Sequence, residues 1–219
     1  TMPLAAARAG RLDAALIGEP TNLKLAVAQR GLMMAELVAR GDQRHAGYAG
    51  EGEFTNAITA LARELLKLDG IVAERRHGVL GATTVTPTMM EAGISRNVTP
   101  PVARAVLDIR STPAWSHQEL EEVIRARLDC EFVVTSSRLV PVETPANSRL
   151  LAALFEASPG AESYGSPTCS DWCFLNHLDA VKVGPGTSRR SHTPDESVGI
   201  PEVVAARGLY ARAAERYLS

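Results

Sequence analysis

The chain has 219 residues, 45% of them apolar and 22% charged, with a formal net charge of −2. That length admits one large domain or two small ones, and the composition can bury a core. The near-neutral balance argues against a nucleic-acid or membrane-surface partner, and no run reaches the roughly 18 apolar residues a membrane helix needs. The amino-terminal Thr-Met-Pro-Leu-Ala-Ala-Ala-Arg lacks a signal-peptide core of sufficient length. Three cysteines, Cys130, Cys169 and Cys173, make no even-numbered framework, which points to a reducing cytoplasm. Cys169 and Cys173 stand four apart with no second pair, so they read as small buried thiols rather than a metal pair.

Ala14-Ala15-Leu16-Ile17 is apolar without polar alternation, which predicts a strand covered on both faces. Pro20 lacks a backbone donor and forces Glu19 towards extended backbone, so the strand stops at Gly18-Glu19-Pro20-Thr21 with the Glu19 carboxylate at its carboxyl end. Residues 25–31 and 32–40 read as strands either side of a bend at Gly31, followed by a glycine-punctuated loop that holds His45. Ile58, Leu61, Leu65 and Leu68 have helical spacing over 55–68, with Gly70 as a stop. Arg75-Arg76-His77 reads as a solvated turn, and Met33-Met34 and Met89-Met90 as strand packing. Strands are predicted over 83–88, 103–109 and 131–135. Ser116 and Glu119 form a capping box that opens a helix reaching about residue 128. His117, in its first turn, and His177 read as surface residues.

The order strand, strand, helix, strand, strand, helix, strand predicts an antiparallel sheet with two helices on one face. The stretch Pro141-Val142-Glu143-Thr144-Pro145 reads as its exit linker. A helix over 148–157, a loop over 165–171, a buried strand over 180–183 and a closing helix from Pro201 follow. Val203, Tyr210 and Tyr217 fall seven apart on one face of that last helix. The expected organisation is an α/β domain in two segments, 1–30 and 144–219, interrupted by an α+β insert at 31–143. The first segment is too short for a doubly wound sheet, so the domain is either very small or has its beginning elsewhere.

Sites in open α/β sheets lie where strands end in loops. The run Ala180-Val181-Lys182-Val183 ends in Gly184-Pro185-Gly186, which opens a polar loop with His192, Asp195 and Glu196. A lone loop histidine is by default a solvated residue, and His45 reads the same way. Glu19 and His192, each past a strand end, are nevertheless a carboxylate and an imidazole, a usual mix for zinc, manganese or cobalt. Asp195 and Glu196 serve either to fix the His192 tautomer or to cap the next helix. Two ligands do not make a catalytic zinc site, which takes three and an open position. The sequence has no nucleophile elbow, dinucleotide fingerprint or Walker loop.

Eight motifs, each weak alone, follow one another in an order that is specific. They are Asp13 through Thr21, Gln29-Arg30-Gly31, Arg44-His45-Ala46 ahead of Asn56-Ala57-Ile58, and Asn97-Val98-Thr99-Pro100. Asp108-Ile109-Arg110, Ser170-Asp171, Gly184-Pro185-Gly186 and His192-Thr193-Pro194-Asp195-Glu196 complete the series. Together they resemble the cocatalytic-zinc amidohydrolases and peptidases that include acetylornithine deacetylase, succinyl-diaminopimelate desuccinylase, aminoacylase and carboxypeptidase G.

The resemblance implies an α/β fold with a zinc-aminopeptidase-like mixed sheet, helices on both faces and incomplete here. A ferredoxin-like α+β dimerisation (lid) domain at 31–143 would interrupt it and make a homodimer. It also implies two zinc ions per active site, replaceable by cobalt or manganese, with Glu19 a ligand of one and His192 of the other. His45 matches a lid histidine that reaches the partner subunit's active site. There it would stabilise the oxyanion formed when zinc-bound hydroxide attacks an amide carbonyl. Asn97 and Arg110 match substrate-holding positions, Arg110 suiting a carboxylate through its planar fork. Gly184 and Gly186 would let backbone approach the substrate.

The implied substrate is a small N-acyl amino acid, and the loop spacing is closer to acetylornithine and acetyl-lysine deacetylases. A desuccinylase, a carboxypeptidase G-like peptidase and a non-catalytic dimerisation module stay open as alternatives. Two departures stand out. The family's His-x-Asp pair, bridging Asp and Glu-Glu pair lie far ahead of its Glu-Pro-Thr strand, whereas eighteen residues precede Glu19 here. The expectation is therefore a carboxyl-terminal part of such an enzyme, inactive alone. The loop over 166–171 also differs from the family's glycine-rich threonine loop.

Overall fold

The computed structural model describes residues 12–219; the amino-terminal stretch considered above for a signal peptide lies outside the described residues. Among them, no helix is long and apolar enough to cross a membrane. The chain divides into two compact units, one ending at Arg30 and resuming over Pro141–Ser219, the other Gly31–Val140. Strands β1 (Ala14–Ile17) and β2 (Leu25–Gln29) begin the first unit.

The Gly31–Val140 unit runs β3 (Leu32–Arg40), α1 (Ala57–Val72), a small hairpin of β4 (Arg76–His77) and β5 (Gly81–Ala82), then β6 (Thr84–Ala92), β7 (Val102–Arg110), α2 (His117–Arg127) and β8 (Glu131–Leu139). The four long strands form an antiparallel sheet in the order β6-β7-β3-β8, the ferredoxin-like arrangement. Period-two alternation builds its core. Met33, Ala35, Leu37 and Ala39 of β3 and Ala103, Ala105, Leu107 and Ile109 of β7 pack with Leu61 and Leu68 of α1 and Leu120 and Ile124 of α2.

Local sequence explains the helix starts. Asn56 caps α1 by accepting from Ile58 N at 2.9 Å and Thr59 N at 3.3 Å, and the Ser116–Glu119 box caps α2; each contributes about 1 kcal/mol. A Cβ on Gly41 would meet Ala57 N and Thr55 O at 2.6 Å, so only glycine lets the loop cross the start of α1. Gly70 does not stop α1. The helix continues and buries Ile71 and Val72, which outweighs the roughly 1 kcal/mol that an interior glycine costs. Ile58, by contrast, is exposed.

Three other expectations are corrected in this unit. Arg75 is no solvated turn residue: its guanidinium lies 3.9 Å from the Trp115 ring centroid and 2.9 Å from Glu119. The Arg75 hydrogen bond, with those from Ser116, holds the Glu119 carboxyl down to about 2. Met89 and Met90 pack into no core here; β6 is an edge strand and they are 60% and 57% exposed.

His117 is buried, not at the surface. Its Nε2 lies 2.7 Å from Ser111 Oγ and its Nδ1 2.8 Å from the Ser137 carbonyl. Burial lowers its pKa, partly opposed by the Ser137 carbonyl. The unfolded chain therefore binds the proton more readily than the folded one. His117 should contribute stability above its ordinary pKa near 6.5 that is lost as pH falls through the lowered folded value. Denaturation midpoints measured across that range should rise with pH, a slope that His117→Phe removes. A slope that survives in the variant would contradict this assignment.

In the other unit, β9 (Val142–Glu143) follows directly, then α3 (Arg149–Ala157), β10 (Ser163–Ser166), β11 (Asp179–Lys182) and α4 (Ile200–Leu218). Part of the expected linker is thus a strand, paired antiparallel with β2, and β10 replaces the start of the expected loop. The mixed sheet has the order β1-β11-β2-β10, with β1 parallel to β11 and β10 parallel to β2. Because β1 is an edge strand, only Ile17 of its four residues is buried, not the whole strand. Leu25, Val181 and Val183 pack with Leu150 and Leu154 of α3 and Leu209 and Ala213 of α4. Tyr210 and Tyr217 join that cluster, while Val203 is exposed. Cys173 is buried, Cys130 and Cys169 are half-buried, and none is in a disulfide.

Candidate functional site

Strands β1 and β11 run parallel side by side, with Ile17 opposite Lys182, so the loops after them leave at the same end of the sheet. Those loops are tied together by backbone. Thr21 N and Leu23 N donate to Gly184 O at 3.3 and 3.0 Å, Asn22 N to Gly186 O at 2.6 Å, and Ser188 N to Pro20 O at 3.1 Å. Gly184 N donates to Thr21 Oγ1 at 3.1 Å. A Cβ on Gly184 would lie 2.5 Å from the Glu19 carbonyl oxygen, so the close approach that demands glycine here is to Glu19. Gly186 has φ +74°, which favours glycine independently. A cleft of about 250 Å³ opens between the two loops, lined by Pro20, Pro185, Gly186, Thr187, Arg190 and Glu196 among others.

Glu19 is half-buried on one loop and His192 exposed on the other. His192 holds φ +60°, an uncommon backbone state that its N–H supports by donating to Glu196 Oε2 at 3.2 Å. Neither the Glu19 carboxylate nor the His192 ring has a hydrogen bond or ion pair among the described residues, which leaves metal-type donor atoms available at both. As donors they suit zinc, but among the described residues no three His, Cys, Asp or Glu side chains group to hold a metal ion. They fit as two contributions rather than a whole site.

The same unit holds a buried contact between Lys182 and Gln29 that the sequence did not bring together. The Lys182 side chain is 1% exposed and its Nζ is 3.1 Å from both Gln29 Oε1 and the Thr168 carbonyl. Burial pulls its pKa down to about 8, while the fields of Glu19 and Cys169 act in the opposite sense. A lysine inside an apolar run was the available signal.

In the Gly31–Val140 unit, His45 and Asn97 are brought together. The segments around them pair through a His45–Val98 bridge, Ala46 N donating to Asn97 O at 2.8 Å and Thr99 N to Arg44 O at 2.9 Å. Gly47 N donates to His45 Nδ1 at 3.1 Å. In the neutral ring that leaves the proton on Nε2, which is then a donor. Arg110 ends β7, and its guanidinium is held by Asp108 through Nε at 2.7 Å and NH2 at 2.9 Å.

The described chain thus consists of a four-stranded ferredoxin-like unit and a mixed sheet whose parallel strands β1 and β11 end in clamped loops. Residues 27–135 match the peptidase dimerisation domain of the M20 peptidases, and the chain resembles that family over nearly its whole length. It is 29% identical to an acetylornithine deacetylase of Myxococcus xanthus over 95% of its own length and 58% of that protein's. It is 31% identical to a succinyl-diaminopimelate desuccinylase of Stenotrophomonas maltophilia, over 98% of its own length and 61% of that protein's. The chain thus spans about three-fifths of these relatives. Among solved structures, a tripeptidase from Staphylococcus aureus superposes with a TM-score of 0.74 at 16% identity, over 97% of this chain and 59% of that one. An M20 family metallo-carboxypeptidase from Sulfolobus solfataricus gives 0.69 at 19%, over 97% and 65%. The relatives support hydrolase chemistry, and the structures support the fold.

Proposed function

We propose that the chain supplies the lid, 31–140, and two segments of the catalytic domain, 1–30 and 141–219, of a cytoplasmic, homodimeric, zinc-dependent deacylase acting on a small N-acyl amino acid. The observation that carries this reading is the hydrogen-bonded pair of loops bearing Glu19 and His192 at the ends of adjacent parallel strands. In it Glu19 and His192 each hold one of two metal ions, with zinc the best match to their chemistry. Zinc held there would act as a Lewis acid and bring the pKa of a bound water near neutrality.

The chain's own groups have separate roles. The Nε2–H of His45 is a donor suited to an oxyanion, and Asn97, on the paired segment, to a substrate carbonyl. Arg110, its guanidinium oriented by Asp108, suits a substrate carboxylate through its planar fork. Gly186 lines the cleft, and Gly184 clamps its two loops together. The test is turnover of N-acetylornithine and N-succinyl-diaminopimelate by the zinc-loaded full-length parent. Hydrolysis of the acetyl substrate supports the reading, preference for the succinyl one changes the acyl group, and hydrolysis of neither leaves a non-catalytic module.

The dimer would form through the lid. Edge strand β6 offers unpaired backbone groups, and Met89 and Met90 are exposed on it with Ile94 just beyond. Met89→Asp with Met90→Asp should turn a dimer into a monomer by light scattering at tens of micromolar. A wild-type monomer there would contradict this surface.

A further inference from the structure

Lys182 ends β11 with both sequence neighbours, Val181 and Val183, fully buried. An ammonium taken from water is costly unless hydrogen bonds replace hydration. Another apolar side chain at 182 would continue the run without that cost. What only a lysine does here is reach across to a loop. Its Nζ contacts the Thr168 carbonyl at 3.1 Å, Thr168 Oγ1 at 3.5 Å and Gln29 Oε1 at 3.1 Å.

Gln29, fully buried on β2, completes the grip. Its Oε1 also accepts from Ser170 Oγ at 2.7 Å, and its Nε2 donates to the Ser170 carbonyl at 3.3 Å. Thr168 and Ser170 flank Cys169, so two buried side chains hold this loop on both sides of one cysteine. The loop's Pro167 and Thr168 are exposed, so apolar packing does not fix it. The Glu19 carboxylate acts on the same ammonium from the neighbouring strand end.

We propose that Lys182 and Gln29 are positioning residues, a buried brace that ties the Thr168–Ser170 loop to β11 opposite Ile17, two residues before Glu19, and so steadies the strand end that carries the candidate site. The brace stands on the contacts alone; its part in turnover rests on the proposed deacylase reading.

The experiment compares wild type with Lys182→Met and Ser170→Ala in the full-length parent. The first readout is the rate at which DTNB modifies Cys169, resolved by peptide mass, with Cys130 in the other unit as an internal reference. Lys182→Met should raise the Cys169 rate about tenfold relative to Cys130, the size of one lost buried hydrogen-bond set. Ser170→Ala, a truncation at a half-buried site that keeps the fold, should raise it several-fold and decides the matter if Lys182→Met does not fold. The second readout is the steady-state split: kcat should fall with metal content unchanged. An unchanged Cys169 rate in the folded variants overturns the brace. A freed loop with unaltered kcat and KM overturns its role in turnover. A wild type without amidase activity overturns the deacylase reading, while the labelling rates still decide the brace.

Discussion

His192→Gly is expected to lower turnover by on the order of 10³-fold or more while leaving the fold as stable as before, or up to about 1 kcal/mol more stable. The two halves of that result have different origins. At φ +60° a histidine is in a backbone state that glycine adopts without penalty, so the substitution relieves strain. The exposed ring makes no hydrogen bond among the described residues, so its removal costs no packing. If the ring is a metal ligand, its loss removes the Lewis acid's anchor. Steady-state kinetics together with a thermal melt check both. Full turnover in His192→Gly would return the residue to an ordinary solvated loop histidine.

Gly184→Ala is the second large effect, and it acts through the other loop. The new methyl would sit 2.5 Å from the Glu19 carbonyl oxygen and 2.9 Å from the Gly18 carbonyl carbon, both backbone atoms. Neither can swing away as a flexible side chain would. Relief therefore requires the two loops to part, at the expense of the Thr21–Gly184 hydrogen bonds. Overpacking of this kind costs about 1–3 kcal/mol. A displacement of about 1 Å at a catalytic carboxylate costs about 10²-fold in rate. Loss of activity should thus accompany a lowered melting temperature, the opposite pattern to His192→Gly. Normal activity and stability in Gly184→Ala would mean that the loops are not clamped as described.

These contrasts show what a linear reading of the chain can carry. Features set by near neighbours were legible: the bend at Gly31, the Ser116–Glu119 box, and the period-two strands of the ferredoxin-like unit. The placement of Glu19 and His192 past strand ends was legible too, because Pro20 and Gly184-Pro185-Gly186 punctuate the chain locally. What escaped depends on partners far away in sequence. His117 reads as a surface residue until β8 brings the Ser137 carbonyl to it. Lys182 reads as one more member of an apolar run until β2 brings Gln29 beneath it. Gly184 reads as a point of close approach, and only the fold shows that the backbone of Glu19 makes one there. Met89 and Met90 have the composition of core residues, and only their position on an edge strand shows that nothing among the described residues covers them.

The central claim is that Glu19 and His192 each hold a metal ion of one hydrolytic site. Anomalous diffraction at the zinc edge, from crystals of the zinc-loaded full-length parent, tests it most directly. The account predicts two peaks, one about 2.0–2.2 Å from a Glu19 carboxylate oxygen and the other about 2.0–2.1 Å from a His192 ring nitrogen. Zinc peaks that touch neither side chain would contradict it.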